Sequence, residues 1–142
     1  MFLLDTNVVS ELRKVRAGRA DPNVAAWSSG VSTDDLFISA ITLLELEIGA
    51  LSVERRDPIQ GGLLKTWIER SVIAAFANRI LPVDVAVVRR CAPLHVPDRR
   101  SDRDALIAAT ALVLGMTVVT RNVSDFAPTG VAMSNPWDSS AD

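Results

Sequence analysis

The sequence predicts an α/β protein in which a central parallel sheet of four to five strands is flanked by helices in a three-layer, Rossmann-like arrangement. The apolar runs are short and lack polar alternation, which is typical of parallel strands covered on both faces. They alternate along the chain with segments of helical periodicity. The 142 residues, 49% of them hydrophobic, suit one domain over residues 1–142.

Five short apolar runs are the candidate strands. Four of them lie at residues 2–4, 36–38, 80–81 and 117–119, and residues 131–133 supply a candidate fifth. Pro82 follows the third run directly, and because proline cannot donate a ladder hydrogen bond, that run suits the edge of the sheet.

The helical segments between these runs carry start and stop signals. Asp21 precedes Pro22, Ser39 precedes a leucine-rich segment at 41–51, and Asp84 precedes a short segment, so each should cap the helix that follows. Further helices are expected at residues 7–14, 58–78 and 102–114. The last segment is apolar nearly all round, which predicts that it is buried.

The composition excludes several functional classes. A formal net charge of −2 gives no bulk attraction for polyanions, so nucleic-acid contacts must come from local basic patches. The only cysteine, Cys91, cannot form an internal disulfide or a cysteine-based zinc site, and the only histidine, His95, excludes a catalytic histidine pair. The longest uncharged run, residues 105–120, is shorter than the ~20 residues of a membrane span, so we expect no membrane association and a cytoplasmic location.

Four acidic residues are expected to converge at one edge of the sheet. Asp5 directly follows the first strand, Glu45 lies near the start of the helix after the second, and Asp125 follows the fourth strand after a short turn. In parallel α/β folds the carboxyl ends of strands and the amino ends of the following helices share one edge, where ligands bind. Asp104 joins the other acids if its helix also begins there.

Each of these acids also has a purely structural explanation. Asp5 can cap the following helix, and Asp125 can be an ordinary turn residue. Asp104 completes the capping box Ser101-x-x-Asp104, and Asp102 competes with it for a place in the site.

Glu45 has a neighbouring competitor in Glu47. The two side chains point about 200° apart on a helix, so one site can use only one of them. Glu45 shares its predicted face with Ile41 and Ile48, and an acid on an apolar face normally has a partner or a metal, which favours Glu45.

Carboxylates that converge in this way cannot all stay ionised unless a cation joins them. Oxygen-only ligands suit Mg²⁺ or Mn²⁺ better than zinc or copper. Two such ions about 3.5–4 Å apart can clamp the attacking and leaving oxygens of an in-line displacement. Hydrolysis of a phosphodiester is the reaction that most needs this arrangement.

The motifs that carry these acids resemble those of a known family. The opening MFLLDTNVVSELRK, the segment ITLLELEIG at 41–49, DALIAATA at 104–111 and TRNVSDF at 120–126 resemble the four motifs of PIN-domain ribonuclease toxins of the VapC family. The NPW segment at 135–137 is similar to the FitB-like subgroup. The match covers nearly the whole chain, with the motifs in order.

This resemblance implies a PIN fold and Mg²⁺- or Mn²⁺-dependent endoribonuclease activity. It favours Glu45 over Glu47 and Asp104 over Asp102, and it gives Thr6, Asn7 and Thr120 secondary roles in orienting the acids or the metal waters. It also implies the toxin role in a type II toxin–antitoxin system, a VapB-like antitoxin as partner and inhibitor, a toxin homodimer, and contact with DNA only through the antitoxin. One departure is the compact segment 85–101, where many relatives carry a longer helix and loop, which affects the shape of the substrate groove.

The hypothesis for the chemistry is that Asp5, Glu45 and Asp104 hold one metal ion, with Asp125 completing that site or holding a second ion. A metal-activated water then attacks the phosphate, which leaves a 5′-phosphate and a 3′-hydroxyl. Basic residues should frame this acidic site for RNA. The candidates are Arg121, Arg13, Lys14, Arg99, Arg100 and Arg103.

Two other functional classes compete with this interpretation. One is a non-catalytic PIN-like partner of a DNA-binding antitoxin that acts in transcriptional regulation, which an intact set of acids argues against. The other is a phosphoryl-transfer enzyme or receiver domain on a similar sheet. That class would need an acid where Asn7 stands, or a lysine late in the chain, whereas Lys65 is the last lysine.

Overall fold

The computed structural model describes residues 1–138 and contains one five-stranded sheet in which all pairings are parallel. The strand order is β3-β2-β1-β4-β5. The strands are β1 (Phe2–Leu4), β2 (Leu36–Ser39), β3 (Ile80–Leu81), β4 (Thr117–Val119) and β5 (Met133–Ser134). In the central register, Leu3 lies beside Phe37 of β2 and Val118 of β4. The parallel sheet and the edge position of β3 are therefore confirmed.

Seven α-helices connect and follow these strands in the described part of the chain. They are α1 (Thr6–Leu12), α2 (Pro22–Ser29), α3 (Ala40–Arg56), α4 (Pro58–Trp67), α5 (Val85–Cys91), α6 (Asp102–Leu114) and α7 (Val123–Phe126). The expected caps are present, since the side chains of Asp21, Ser39 and Asp84 accept backbone hydrogen bonds at the starts of α2, α3 and α5. Gly115 ends α6 in the left-handed conformation, with φ of 67°.

Three elements differ from the sequence prediction. The fifth strand lies at Met133–Ser134 instead of 131–133, because Val131 is buried in the core and its N–H faces the Thr129 hydroxyl. The predicted helix at 58–78 is α4 followed by a π-helical segment, Ile68–Ile73. The turn after β4 contains the one-turn helix α7, which sequence periodicity cannot reveal over four residues.

The core forms two main layers, one on each face of the sheet. Leu4 and Val119 pack with α1, α3 and the π-helical segment, whereas Leu3 and Val118 pack with α6 and α7. This split follows from the pleat, since successive residues of a strand point to opposite faces. Residues 105 and 107–111 of α6 are buried as expected, so this helix is fixed against the sheet.

Within residues 1–138, no helix is both long enough and apolar enough to cross a membrane.

The helices α3 and α4 approach each other closely at Gly61. A Cβ atom at Gly61 would overlap the backbone of Glu54 in α3, whereas a Cβ at the next residue, Gly62, would meet nothing within 4 Å. Gly61→Ala should therefore lower the free energy of unfolding by about 1–3 kcal/mol through overpacking. Gly62→Ala should raise it by up to about 1 kcal/mol through helix propensity. Urea denaturation of both variants measures this difference, and equal effects would contradict the packing argument.

Candidate active site

Asp5 is the best-fixed acidic residue of the site. It directly follows the central strand β1, and its N–H donates to the Val119 carbonyl at 2.9 Å, which continues the pairing with β4. Its Oδ1 accepts a hydrogen bond from the Thr6 N–H at 2.8 Å. Its Oδ2 accepts hydrogen bonds from the Thr120 hydroxyl at 2.8 Å and from the Asn7 amide at 3.1 Å. Asp5 is thus the N-cap of α1 as well as a candidate site residue, and the two explanations coexist.

The charge state of Asp5 reflects opposing effects. Burial raises the pKa of the Asp5 carboxyl above its ordinary value, and the nearby Glu45 charge raises it further. The hydrogen bonds from Thr120, Thr6 and Asn7 lower the pKa but do not cancel the effect of burial. A buried carboxyl with three donors directed at it is held in one orientation, as a ligand or a catalytic group needs to be.

Glu45 reaches the same site from α3. The Thr6 hydroxyl donates to its Oε1 at 2.7 Å, so one residue, Thr6, contacts both Asp5 and Glu45. The face that Glu45 shares with Ile48 is less buried than the sequence predicts, because Ile48 is 38% exposed. The Glu47 carboxylate accepts no hydrogen bond from these residues in the described part of the chain.

Asp104 lies in the first turn of α6 and shares the electrostatic field of the other acids. Burial, together with the charges of Asp5, Asp125 and Glu45, raises the pKa of its carboxyl to about 6. The competing residue, Asp102, is directed elsewhere. Its side chain is 66% exposed and lies 3.8 Å from the Arg99 guanidinium.

Asp125 lies at the rim of the site. It is exposed on α7, and together with Asp104 it lines a cavity of about 380 Å³. The structure therefore brings the four acids to one edge of the sheet, with Asp5 deepest and Asp125 outermost. Half of the expected capping box at α6 is present, since the Ser101 hydroxyl oxygen accepts the Asp104 N–H at 3.4 Å, but within residues 1–138 the Asp104 carboxylate accepts no return hydrogen bond from the Ser101 N–H.

The donor set fits a hard divalent cation. The site offers carboxylate oxygens only, and neighbouring carboxylate charges raise the pKa values of Asp5 and Asp104, a repulsion that a cation would relieve. Among residues 1–138, no three acidic, histidine or cysteine side chains already surround one point as metal ligands. The four acids thus lie at one edge of the sheet, but no three of their side chains surround a common point.

The three predicted secondary residues all contact the acids. Thr6 donates to Glu45, and Asn7 and Thr120 donate to Asp5. The Asn7 side-chain oxygen also accepts the N–H of Arg121 at 3.2 Å, which ties the turn after β4 to α1.

The six basic candidates separate into two groups. On the side of the acids, Arg103 lies 3.8 Å from Glu45, Arg121 follows Thr120, and Arg99 and Arg100 line the cavity beside Asp104.

The other two candidates are not brought to the acids in this way. Arg13 packs over the Trp67 ring at 5.7 Å, and Lys14 pairs with Glu11 at 3.1 Å.

Sequence reasoning did not single out two residues of this region as site residues. Ser124 lines the cavity beside Asp125, and its serine type carried no signal because a lone hydroxyl has no diagnostic spacing. Trp137 lies under the Arg121 guanidinium at 5.2 Å. In the sequence, the NPW segment carries only the family resemblance, and the cation–π contact between Arg121 and Trp137 becomes visible once the fold brings the two residues together.

The raised pKa of Asp104 predicts an effect on stability. A carboxyl whose pKa is higher in the folded chain than in the unfolded chain destabilises the fold when it ionises. The free energy of unfolding therefore falls as pH rises from the ordinary pKa, 3.8, to the pKa in the folded chain, about 6, and the loss is complete above that pH. Asp104→Asn should therefore raise the free energy of unfolding at pH 8 by about 1 kcal/mol, allowing for solvent screening, and the gain should vanish below about pH 4. Urea unfolding in chelator measures this, with Asp102→Asn as the control. A destabilised Asp104→Asn protein at pH 8 would contradict it.

Comparison with known proteins identifies the family. The PIN domain family model matches residues 2–128. The VapC ribonuclease Y4jK of Sinorhizobium fredii is 38% identical, in an alignment that covers 97% of this chain and 99% of that protein. The toxin FitB of Neisseria gonorrhoeae is also 38% identical, with 96% and 99% covered.

Solved structures agree with this similarity. The crystal structure of FitAcB from Neisseria gonorrhoeae has a TM-score of 0.86 at 34% identity and covers 96% of this chain and 99% of its own. A toxin–antitoxin complex from Klebsiella pneumoniae has a TM-score of 0.66 at 25% identity, with 96% and 98% covered. The resemblance drawn from the motifs is confirmed: the chain belongs to the PIN-domain family, and VapC ribonucleases and the FitB toxin are among its relatives.

Proposed function

We propose that this protein is the toxin of a type II toxin–antitoxin system and acts as a Mg²⁺- or Mn²⁺-dependent endoribonuclease. The observation that carries the proposal is the shared electrostatic site of Asp5, Glu45, Asp104 and Asp125, in which each of the other three acids raises the pKa of Asp104. Perturbed carboxyls of this kind cluster at functional sites. The names of the relatives, a ribonuclease and a toxin, support the same activity.

The four acids have different roles in this proposal. Asp5, Glu45 and Asp104 would hold one divalent ion, and Asp125 would complete that site or hold a second ion. When bound, such an ion acts as a Lewis acid that stabilises the charge developing on the phosphate oxygens. Thr6 fixes the relative positions of Asp5 and Glu45, and Thr120 and Asn7 keep the Asp5 carboxylate from rotating.

The reaction is hydrolysis of an RNA phosphodiester. The oxygen of a water molecule bonds to phosphorus, and the bond from phosphorus to the 3′ oxygen breaks. The 3′ oxygen then takes up a proton, which leaves a 5′-phosphate and a 3′-hydroxyl.

The arginines beside the acids would position the RNA. Arg103 lies 3.8 Å from Glu45, and Arg121 is exposed over the Trp137 ring. Arginine binds phosphate with several parallel donors, which suits this role. RNA binding should accordingly weaken steeply as salt rises.

The antitoxin surface in this proposal is a separate groove between α1 and the π-helical segment. The groove has a volume of about 600 Å³, and the aromatic rings of Trp67 and Phe76 form part of its lining. Three arginines also line it: Arg13, Arg16 and Arg70. An apolar groove with positive charges fits an amphipathic segment that carries acidic side chains, which is the occupant we assign to a VapB-like antitoxin.

Two further partner predictions follow from the resemblance alone. The toxin is expected to form a homodimer, and it is expected to contact DNA only through the antitoxin. Sedimentation equilibrium of the toxin, and DNA binding by the toxin with and without its antitoxin, measure these two properties.

Two of the site acids, Asp104 and Glu45, each have a neighbouring acid that can serve as a matched control in a cleavage assay with Mg²⁺ or Mn²⁺. Asp104→Asn and Glu45→Gln should each lower the rate of RNA cleavage by at least about 100-fold, since even outer-shell partners of metal sites cost 10–100-fold. The neighbouring changes Asp102→Asn and Glu47→Gln should stay within about threefold of the unchanged protein, because neither side chain forms a hydrogen bond or ion pair with the four acids or with Thr6, Asn7 and Thr120 in the described residues. Chelator should abolish the activity of the unchanged protein.

Asp5→Asn provides the decisive variant of this assay. The change keeps the size of the side chain and the cap of α1 but removes the charge, so cleavage should be lost while the fold persists. Full activity in Asp5→Asn would remove Asp5 from the catalytic site. Absence of cleavage of any RNA by the unchanged protein with either metal would reject the enzyme and favour a non-catalytic partner.

The antitoxin groove predicts an effect of charge reversal. Arg70→Glu should weaken binding of the cognate antitoxin by at least about tenfold at low salt, because like charges across an interface are strongly unfavourable. RNA cleavage should be unchanged, since Arg70 is not among the residues lining the acidic site. Arg56→Glu at the end of α3 is the matched control, and isothermal titration calorimetry measures both. Equal affinities of the two variants would place the antitoxin elsewhere.

A further inference from the structure

We propose that the cavity between the loop before α6 and helix α7 binds one RNA nucleotide beside the scissile phosphate. This inference rests on the proposed ribonuclease function and adds a specificity pocket to it. The cavity holds about 380 Å³, at the lower end of the range for small-molecule sites, which suits a single nucleotide.

The position of the cavity connects it to the acidic site. Asp104 belongs to the wall formed by the start of α6, and Asp125 belongs to the wall formed by α7. Both are candidate ligands of the divalent ion, so a group that enters the cavity lies beside the reacting phosphate.

The lining of the cavity fits a nucleotide better than other ligands. Asp104 and Asp125 would repel an acidic peptide. A nucleotide in an RNA strand offers a phosphate to the arginines of the loop, and its hydroxyl and base edges can pair with small polar side chains. The hydroxyl of Ser124 is suited to this role, because it makes no hydrogen bond to another residue in the described part of the chain.

The two arginines of the loop have different roles. The Arg100 Nε donates to the Leu94 carbonyl at 2.8 Å, and the Arg100 N–H donates to His95 Nδ1 at 3.1 Å. Arg100 therefore holds the loop in place and forms part of the wall. Arg99 is 82% exposed, and among residues 1–138 its guanidinium pairs only with the exposed Asp102, at 3.8 Å, so it can turn toward a phosphate.

The segment before α6 shapes one side of this cavity. The compact stretch 85–101 places Arg99 and Arg100 next to Asp104. His95, the only histidine in the sequence, supports this loop through the backbone of Arg100. We infer that this segment sets which nucleotide is accepted beside the cut.

The first experiment is an NMR titration of the ¹⁵N-labelled protein with each of the four nucleoside 5′-monophosphates, in the presence of Mg²⁺. Amide shifts at Ser101, Ser124 and Arg99 that saturate are expected. Ser124→Trp, which fills the cavity, should abolish them. Val123→Trp adds the same bulk to the same helix but does not line the cavity, so it should leave them intact. The absence of saturating shifts in the unchanged protein, or their persistence in Ser124→Trp, would overturn the inference.

The second experiment uses cleavage, with sequencing of the RNA ends. Ser124→Trp should lower kcat/KM by at least tenfold and change the base found next to the cut, and Val123→Trp should do neither. Arg99→Ala should raise KM for RNA about tenfold, and Arg55→Ala, at the far end of α3, should not. Mn²⁺ affinity measured by calorimetry should stay within threefold in all four variants, which shows that Asp125 is undisturbed.

The outcomes separate the two proposals. If the unchanged protein cleaves RNA and Ser124→Trp cleaves it with the same efficiency and pattern, the pocket is wrong and the ribonuclease stands. If the unchanged protein cleaves no RNA, the ribonuclease is wrong, and the NMR titration alone decides whether the cavity binds nucleotides.

Discussion

Mutual repulsion among four carboxylates is the constraint on which the candidate site depends. The charges of Asp5, Asp125 and Glu45 all raise the pKa of Asp104, so the chain carries an unfavourable interaction that its fold must tolerate. Three hydrogen bonds to Asp5 oppose part of that repulsion by stabilising its charged form. A protein that retains such a cluster sacrifices some stability at a place where function requires charge.

The parallel sheet explains how residues so far apart in sequence come together. Asp5 follows the central strand β1, and Thr120 follows its neighbour β4, so the hydrogen bond between them joins residues 115 positions apart. The helices that begin at the same edge add Glu45 and Asp104. The buried faces of β1 and β4 pack into both core layers, so the strands behind the acids are fixed on both sides. Only the outermost acid, Asp125, belongs to a one-turn helix, which is held by the buried Phe126.

The surroundings of the acids divide into surfaces of different chemistry. Arginines and small polar side chains lie beside the acids and suit a polyanion with accessible bases. The groove at Trp67 combines aromatic rings with arginines and suits an amphipathic protein segment. Since the net charge of the chain is −2, neither surface is visible in the composition, and both arise from where the fold places a few positive side chains.

The sequence by itself determined the parallel α/β class, four of the five strands, the capped starts of α2, α3 and α5, and the order of the acids, because these depend on local periodicity and on neighbours a few residues away. The tertiary structure decided the remainder. It showed that Thr6 joins Asp5 to Glu45, that Arg13 and Lys14 lie apart from the other basic candidates, and that the compact loop forms a cavity with Ser124. Such contacts depend on the packing of helices against the sheet, and no spacing along a single chain encodes the distance between side chains that different elements bring together.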